Sequence, residues 1–232
     1  MSTLPPPFDP PPPPPPVGTA LPWEERDRLG WVAAFVATVQ LLATAPAEAW
    51  QRTRVKNDLL EPLLFSVVVS WIGIVFSSIY GALFARSWIS FLPPNVRERL
   101  APALAGSSFG PLLNIVLAPV LVAVGLFIGT GIIHLCLMIV GGLSSSTAGF
   151  EGTFRVAAYS GVADLANVIP FVGGLIAIVW KIVLIVMGLQ ALHRTTSGKA
   201  VAAVLLPLLL CCGCGVVAFG AIMAAVMSAF NH

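Results

Sequence analysis

Two ionisable residues stand inside an otherwise apolar hairpin, and they restrict this chain more than any other feature. The stretch is FEGTFRVAAYSGVADLANVIPFVGGLIAIVWKIVLIVMGLQALHRTTSGKA, residues Phe150–Ala200. The turn IPFVGG, Ile169–Gly174, divides it, with Asp164 on one arm and Lys181 on the other. Folded back as antiparallel helices, the arms place both groups at a similar depth, roughly 12–14 Å from the turn. A lone charge in hydrocarbon is expensive and faces a partner, a bundle interior or a watery cavity. The pattern predicts two packed membrane helices joined by an intramembrane ion pair, Asp164–Lys181. Its first expected role is to fix register, since buried pairs specify more than they stabilise. An ion or proton relay is the sharper alternative.

Composition supports a bilayer as solvent. The chain is 57% hydrophobic and 9% charged, with mean hydropathy +0.93. A soluble domain carries about 25% charged residues, so this one has too few to cover a water-facing surface. The net charge of +2 gives no footprint for nucleic acid. Met1 leads into a proline tract rather than a basic and apolar leader, so no cleavable signal is expected and the first helix is expected to act as a signal anchor.

Residues 1–22 read as a disordered proline-rich tail: ten of the twelve residues from Pro5 to Pro16 are proline, which favours extended polyproline and blocks helix and sheet. A docking site for a proline-recognising module is the sharper reading. Residues 23–61 read as interfacial amphipathic helices. Trp23, Trp31 and Trp50 suit the headgroup region, and Glu24, Glu25 and Asp27 suit a helix N-terminus. A sixth span over Leu29–Ala47 is the alternative. The remainder reads as an all-α bundle of five transmembrane helices over about 62–85, 111–142, 154–170, 173–193 and 200–229. The third is short and polar, with Tyr159, Ser160, Asp164 and Asn167, and is expected inside the bundle. Gly125 and Gly129 offer a small-residue face for helix packing.

Orientation follows from basic residues. With the N-terminus inside, the inner segments hold Arg26, Arg28, Arg52, Arg54, Lys56, Arg155, Arg194 and Lys199. The outer segments hold Arg86, Arg97 and Arg99. This favours a cytoplasmic N-terminus. No internal repeat is evident, which weakens a transporter reading.

Other reactive residues read more simply. His134 and His193 are expected at the headgroup level rather than on a metal. Cys211, Cys212 and Cys214 lie in LLPLLLCCGCGVVAF without a neighbouring His or acid, and packing explains them better than zinc or iron–sulfur ligation. No phosphate-binding glycine loop, HExxH or GxSxG occurs. No catalytic residue, metal or cofactor is expected.

An ordered succession of motifs carries a resemblance. PLLF at Pro62–Phe65 is followed by IIHL at Ile132–Leu135 with Gly141–Gly142. Then come FEGTFRVAAYS at Phe150–Ser160 and IPFVGGLIAIVWKIVLIVMGLQALHRTTSGKAVAAVLLP at Ile169–Pro207. Over Trp23–Phe230 the chain resembles the Yip family, multi-span membrane proteins with a Ypt/Rab-interacting domain, in a prokaryotic branch. The resemblance implies five spans and a cytoplasmic N-terminal region. The family-like positions are Tyr159, Pro170, Gly173, Trp180, Gly188, His193, Ser197, Gly198 and Lys199. Eukaryotic relatives are associated with vesicle traffic through small GTPases. For this chain the expectation is a non-enzymatic protein of the bacterial inner membrane, working through lipids, membrane-protein partners or self-association. A small transporter or channel using Asp164, Lys181 and Asn167 is the alternative, and a membrane-embedded redox or metal enzyme ranks third.

Overall fold

The computed structural model describes residues 20–90 and 110–210, with Pro94, Glu98 and Gly220 besides. The proline-rich tail, most of the loop holding Arg97 and Arg99, and the Cys211–Cys214 cluster lie outside the described residues. Among the described residues every regular element is helical. A 3-10 turn at Pro22–Glu25 leads into α1 (Arg26–Leu29), α2 (Trp31–Thr44) and α3 (Pro46–Arg52). Then follow α4 (Leu60–Ser90), α5 (Gly110–Ile139) and α6 (Gly149–Ser160). A 3-10 segment, Gly161–Val168, precedes α7 (Gly173–His193) and a final helix, α8 (Ser197–Leu210).

Three of these helices are long and apolar enough to cross a membrane: Leu60–Phe84, Leu112–Ile139 and Gly173–His193. At 1.5 Å per residue their 25, 28 and 21 residues extend past or match about 30 Å of hydrocarbon. α5 leaves Leu112, Val116, Val120 and Ile128 outward, an apolar surface that water would penalise and acyl chains would not. α2 has only 14 residues, so the alternative of a further span over Leu29–Ala47 does not form as one straight helix. Gly30 before it and Pro46 after it set its limits, Gly30 at φ 83 and Pro46 opening α3.

The stretch expected to form a continuous span over 154–170 divides in two. α6 ends at Ser160, and the chain tightens into 3-10 turns through Val168. Tertiary contact explains the change. α4 comes so close here that a Cβ on Gly73 would collide with the Asp164 carbonyl oxygen, and Tyr80 donates from its hydroxyl to the Val168 carbonyl at 2.6 Å. Asn167 donates from its amide to the Asp164 carbonyl at 2.9 Å, supporting the tighter winding from within. The 3-10 segment thus packs against both α4 and α7.

The most deeply buried side chains gather where the N-terminal elements meet α4, α6 and α7. Trp50, Phe65, Phe154, Tyr159, Leu42 and Leu189 are all fully or nearly fully buried. Aromatic rings run through this core: Trp23 and Phe65 have centroids 5.7 Å apart, and Phe65 and Tyr159 5.4 Å. Residues 23–61 are therefore packed structure as well as candidates for the membrane surface.

Candidate functional site

Three groups of polar and charged side chains are buried among these helices. The first is the hairpin pair. Lys181 Nζ lies 2.6 Å from Asp164 Oδ1 and donates to Oδ2 at 2.8 Å, while the Ser70 hydroxyl donates to the same Oδ2 at 2.6 Å. The 3-10 segment presents the carboxylate, α7 the amine and α4 the hydroxyl. They border a cavity of about 410 Å³ whose walls also include Ser66, Ser77, Asn167, Gly125 and Gly129. The side chains remain 20% exposed at Asp164 and 35% at Lys181, so the pair faces a cavity rather than a sealed interior. Gly125 and Gly129 make no close helix contact among the described residues. A Cβ at either would meet no atom within 4 Å, because both lie on the cavity wall of α5.

The second group is an ion cluster that the sequence reading missed. Arg155 has a fully buried side chain, as does Glu24. The guanidinium bonds Glu24 Oε1 at 2.7 Å, Glu151 Oε1 at 2.8 Å and the Asp58 carbonyl at 2.8 Å. Tyr159 donates its hydroxyl to Glu24 Oε1 at 3.0 Å, and Lys56 Nζ stands 2.9 Å from Glu24 Oε2. Glu151 also accepts the backbone N–H groups of Lys56 and Asn57, each at 2.8 Å. Arg26 and Glu61 extend the cluster at 3.2 Å. Burial pushes the Glu151 carboxyl upward, but the Lys56 amide, Arg155 and the Asp58 amide outweigh it and hold the group below its ordinary value. The cluster fastens the arm before α2 and the loop after α3 onto α6. Arg155, counted above among the basic residues setting orientation, is an internal partner of Glu24 and Glu151.

The third group joins the histidines. Thr153 Oγ1 lies 2.8 Å from His134 Nδ1 and 2.9 Å from His193 Nε2, and Ser146 Oγ lies 2.7 Å from His193 Nδ1. His193 and Thr153 are fully buried. His193, the last residue of α7, is hydrogen-bonded at both ring nitrogens, which explains its burial within the protein. Among the described residues no group of three or more His, Cys, Asp or Glu could hold a metal ion.

The family-like positions do not converge on one reaction centre. Tyr159 joins the ion cluster and His193 the histidine chain. Pro170 and Gly173 shape the turn, where the Val172 N–H donates to the Pro170 carbonyl at 2.8 Å and Gly173 backs against Ala166. Gly188 lets α7 approach α6 and α3, since a Cβ there would fall 2.7 Å from Val156 Cγ1 and 3.1 Å from Trp50 Cε2. Trp180 flanks the buried core. Ser197 donates to Gln190 Oε1 at 3.0 Å, and Lys199 donates to the Gly141 carbonyl at 2.9 Å. Gly198 has open space around it.

Apolar helices of membrane-crossing length, with charged side chains paired between them, define a multi-pass helical membrane protein. A family profile described as the Yip1 domain matches residues 39–219, most of the chain, and the protein belongs to that family. Comparison with curated proteins and with solved structures gave no match.

Proposed function

We propose that this chain is a non-enzymatic membrane protein that works through protein and lipid contacts in and beside the bilayer, in a membrane-organising or trafficking-like role. The observation that carries this reading is the way the buried charges are used. Arg155, Glu24, Glu151 and Tyr159 are bound to one another, and Asp164 to Lys181 and Ser70. Such groups hold a shape; a general acid or nucleophile would need to be presented to a reacting molecule. We read five spans, with the parts of the chain outside the three long helices supplying the others, residues 23–61 at the interface, and the N-terminus in the cytoplasm of a bacterial inner membrane.

The experiment is copurification in mild detergent of the wild-type chain and Asp164→Asn, with mass spectrometry of bound proteins and lipids, alongside solute flux in liposomes. The expected result is a set of partners retained by both forms. Flux that is present in the wild type and vanishes in Asp164→Asn would instead make the 410 Å³ cavity part of a transport route.

A further inference from the structure

The cavity beside Asp164 and Lys181 has one side that the described residues leave open, so both side chains keep exposed surface. α5 packs on α4 and α6, and α7 on α3, α6 and the 3-10 segment, but α5 and α7 make little direct contact with each other. The cavity lies between them, with Gly125, Gly129 and Ile133 on one wall and Lys181 and Ile185 on the other. α8 enters the same interval from the end where α5 and α7 finish. Lys199 donates to the Gly141 carbonyl, just past α5. Ala200, Ala203 and Val204 are buried in one cluster with Leu137 of α5 and Leu184 of α7. α8 therefore runs back along both helices. Counted equally from the Lys199–Gly141 contact, Cys211 comes level with Gly129 and Gly215 with Gly125. Counted from the turn at 194–196, the same stretch reaches the depth of Lys181.

Helical periodicity gives the same answer. Cys211, Cys214 and Gly215 fall on the face of Ala200, Ala203 and Val204, about three turns further on. Gly220, described beyond Leu210, is helical. Residues 211–230, CCGCGVVAFGAIMAAVMSAF, carry no charge and as a helix reach about 30 Å, the depth of the hydrocarbon. We propose that this segment continues α8 between α5 and α7, seats Cys211, Cys214 and Gly215 on Gly129 and Gly125, and forms the wall that separates the Asp164–Lys181 cavity from lipid. Small residues on both helices let backbones approach closely. That explains two glycines on α5, which elsewhere presents large apolar side chains outward. An acyl chain would need no glycine, and a second copy of the chain would meet α8 already at the entrance. The proposal rests on the reading of the chain as a five-span membrane protein and gives the last span its place.

The test is thiol chemistry on the full chain in membranes. A lipid-soluble maleimide should label Cys212, turned away from the seated face, about tenfold or more faster than Cys211 or Cys214, read by mass spectrometry of the peptides. For a second measurement, Gly129→Cys and Val124→Cys are each placed in a Cys136→Ala background and oxidised. Val124 points outward from α5, 51% exposed, near the depth of Gly125. Gly129→Cys should form a disulfide with Cys211 or Cys214 within one chain, because bridged Cα atoms lie about 4.4–6.8 Å apart; Val124→Cys should not. Equal labelling of Cys211, Cys212 and Cys214 would overturn the proposal and leave lipid as the occupant. So would a Gly129→Cys disulfide between two chains, which makes a second copy the occupant, or the absence of that disulfide, or equal crosslinking from both positions. A Cβ at Gly129 meets no described atom within 4 Å, and the labelling comparison needs no substitution at all. Partners that copurify with the wild type would leave the reading of membrane contacts standing while the seat failed, so the two are separable.

Discussion

The ion cluster on Arg155 and the pair of Asp164 with Lys181 both bury charge, but they do so differently. Asp164 and Lys181 are 17 residues apart on the arms of one hairpin, and the pair keeps 20% and 35% of its side-chain surface exposed to a cavity. Arg155 and Glu24 are 131 residues apart and have no exposed side-chain surface. One contact fixes the register of neighbours; the other joins the N-terminal elements to α6. A chain immersed in lipid gains little from packing apolar helix faces together, because acyl chains are as apolar as leucine. Contacts that bind the N-terminal elements to the helices must come from polar chemistry and from a local core, and the Arg155 cluster stands beside the Trp23–Phe65–Tyr159 rings that form that core.

The largest expected effect is therefore at Arg155. Arg155→Met leaves Glu24 buried with a negative charge and its principal partner gone, a loss of about 3–5 kcal/mol. Denaturant titration in micelles, followed by tryptophan fluorescence, measures it. Glu24→Gln combined with Arg155→Met should cost less than the sum of the two single changes, by more than about 1 kcal/mol. Strict additivity would break the account of the cluster as one unit. Asp164→Asn should cost less, about 1 kcal/mol, because the amide oxygen still accepts from Lys181 and Ser70 and the cavity spares part of the desolvation. If Asp164→Asn proves the more damaging of the two, the hairpin pair and not the cluster organises the fold.

The contrast also marks how much was visible in the residues alone. Asp164 and Lys181 stood out because each interrupts an apolar run, and the turn between them placed them at one depth. α7 was equally legible, from Gly173 to His193, because its composition is uniform and its end is marked by Arg194. The cluster was not legible. Glu24, Lys56 and Glu61 sit in segments already rich in charge, where solvent exposure is the ordinary expectation, and nothing local says that they converge. One signal was available: Glu151 and Arg155 are four residues apart, and Val156, Ala157 and Ala158 follow, so the arginine enters an apolar helix face with a carboxylate one turn behind it. The break between α6 and the 3-10 segment was hidden for a different reason. It depends on the approach of Gly73 from α4, a contact no periodicity within residues 154–170 contains.

The smallest and most specific expected effect concerns acid. Glu151 has an ordinary value of 4.5, and its folded value is lower. A carboxyl with a depressed folded value stabilises the fold above the unfolded value, and that contribution disappears as pH falls through the folded one. Wild-type stability should therefore decline as pH drops below about 4.5, on the unfolded value for Glu151. Glu151→Gln should be less stable near neutrality, since it loses the charge opposite Arg155, and its own curve should be flatter across the same acid range. The difference between the two curves isolates Glu151 from the other carboxylates. If the difference between Glu151→Gln and wild type stays constant from neutral pH to below 4.5, the Glu151 carboxylate is not held by Arg155 and the amides of Lys56 and Asn57 in the manner seen, and the fastening of the N-terminal arm must rest on the Glu24 contacts and the aromatic core.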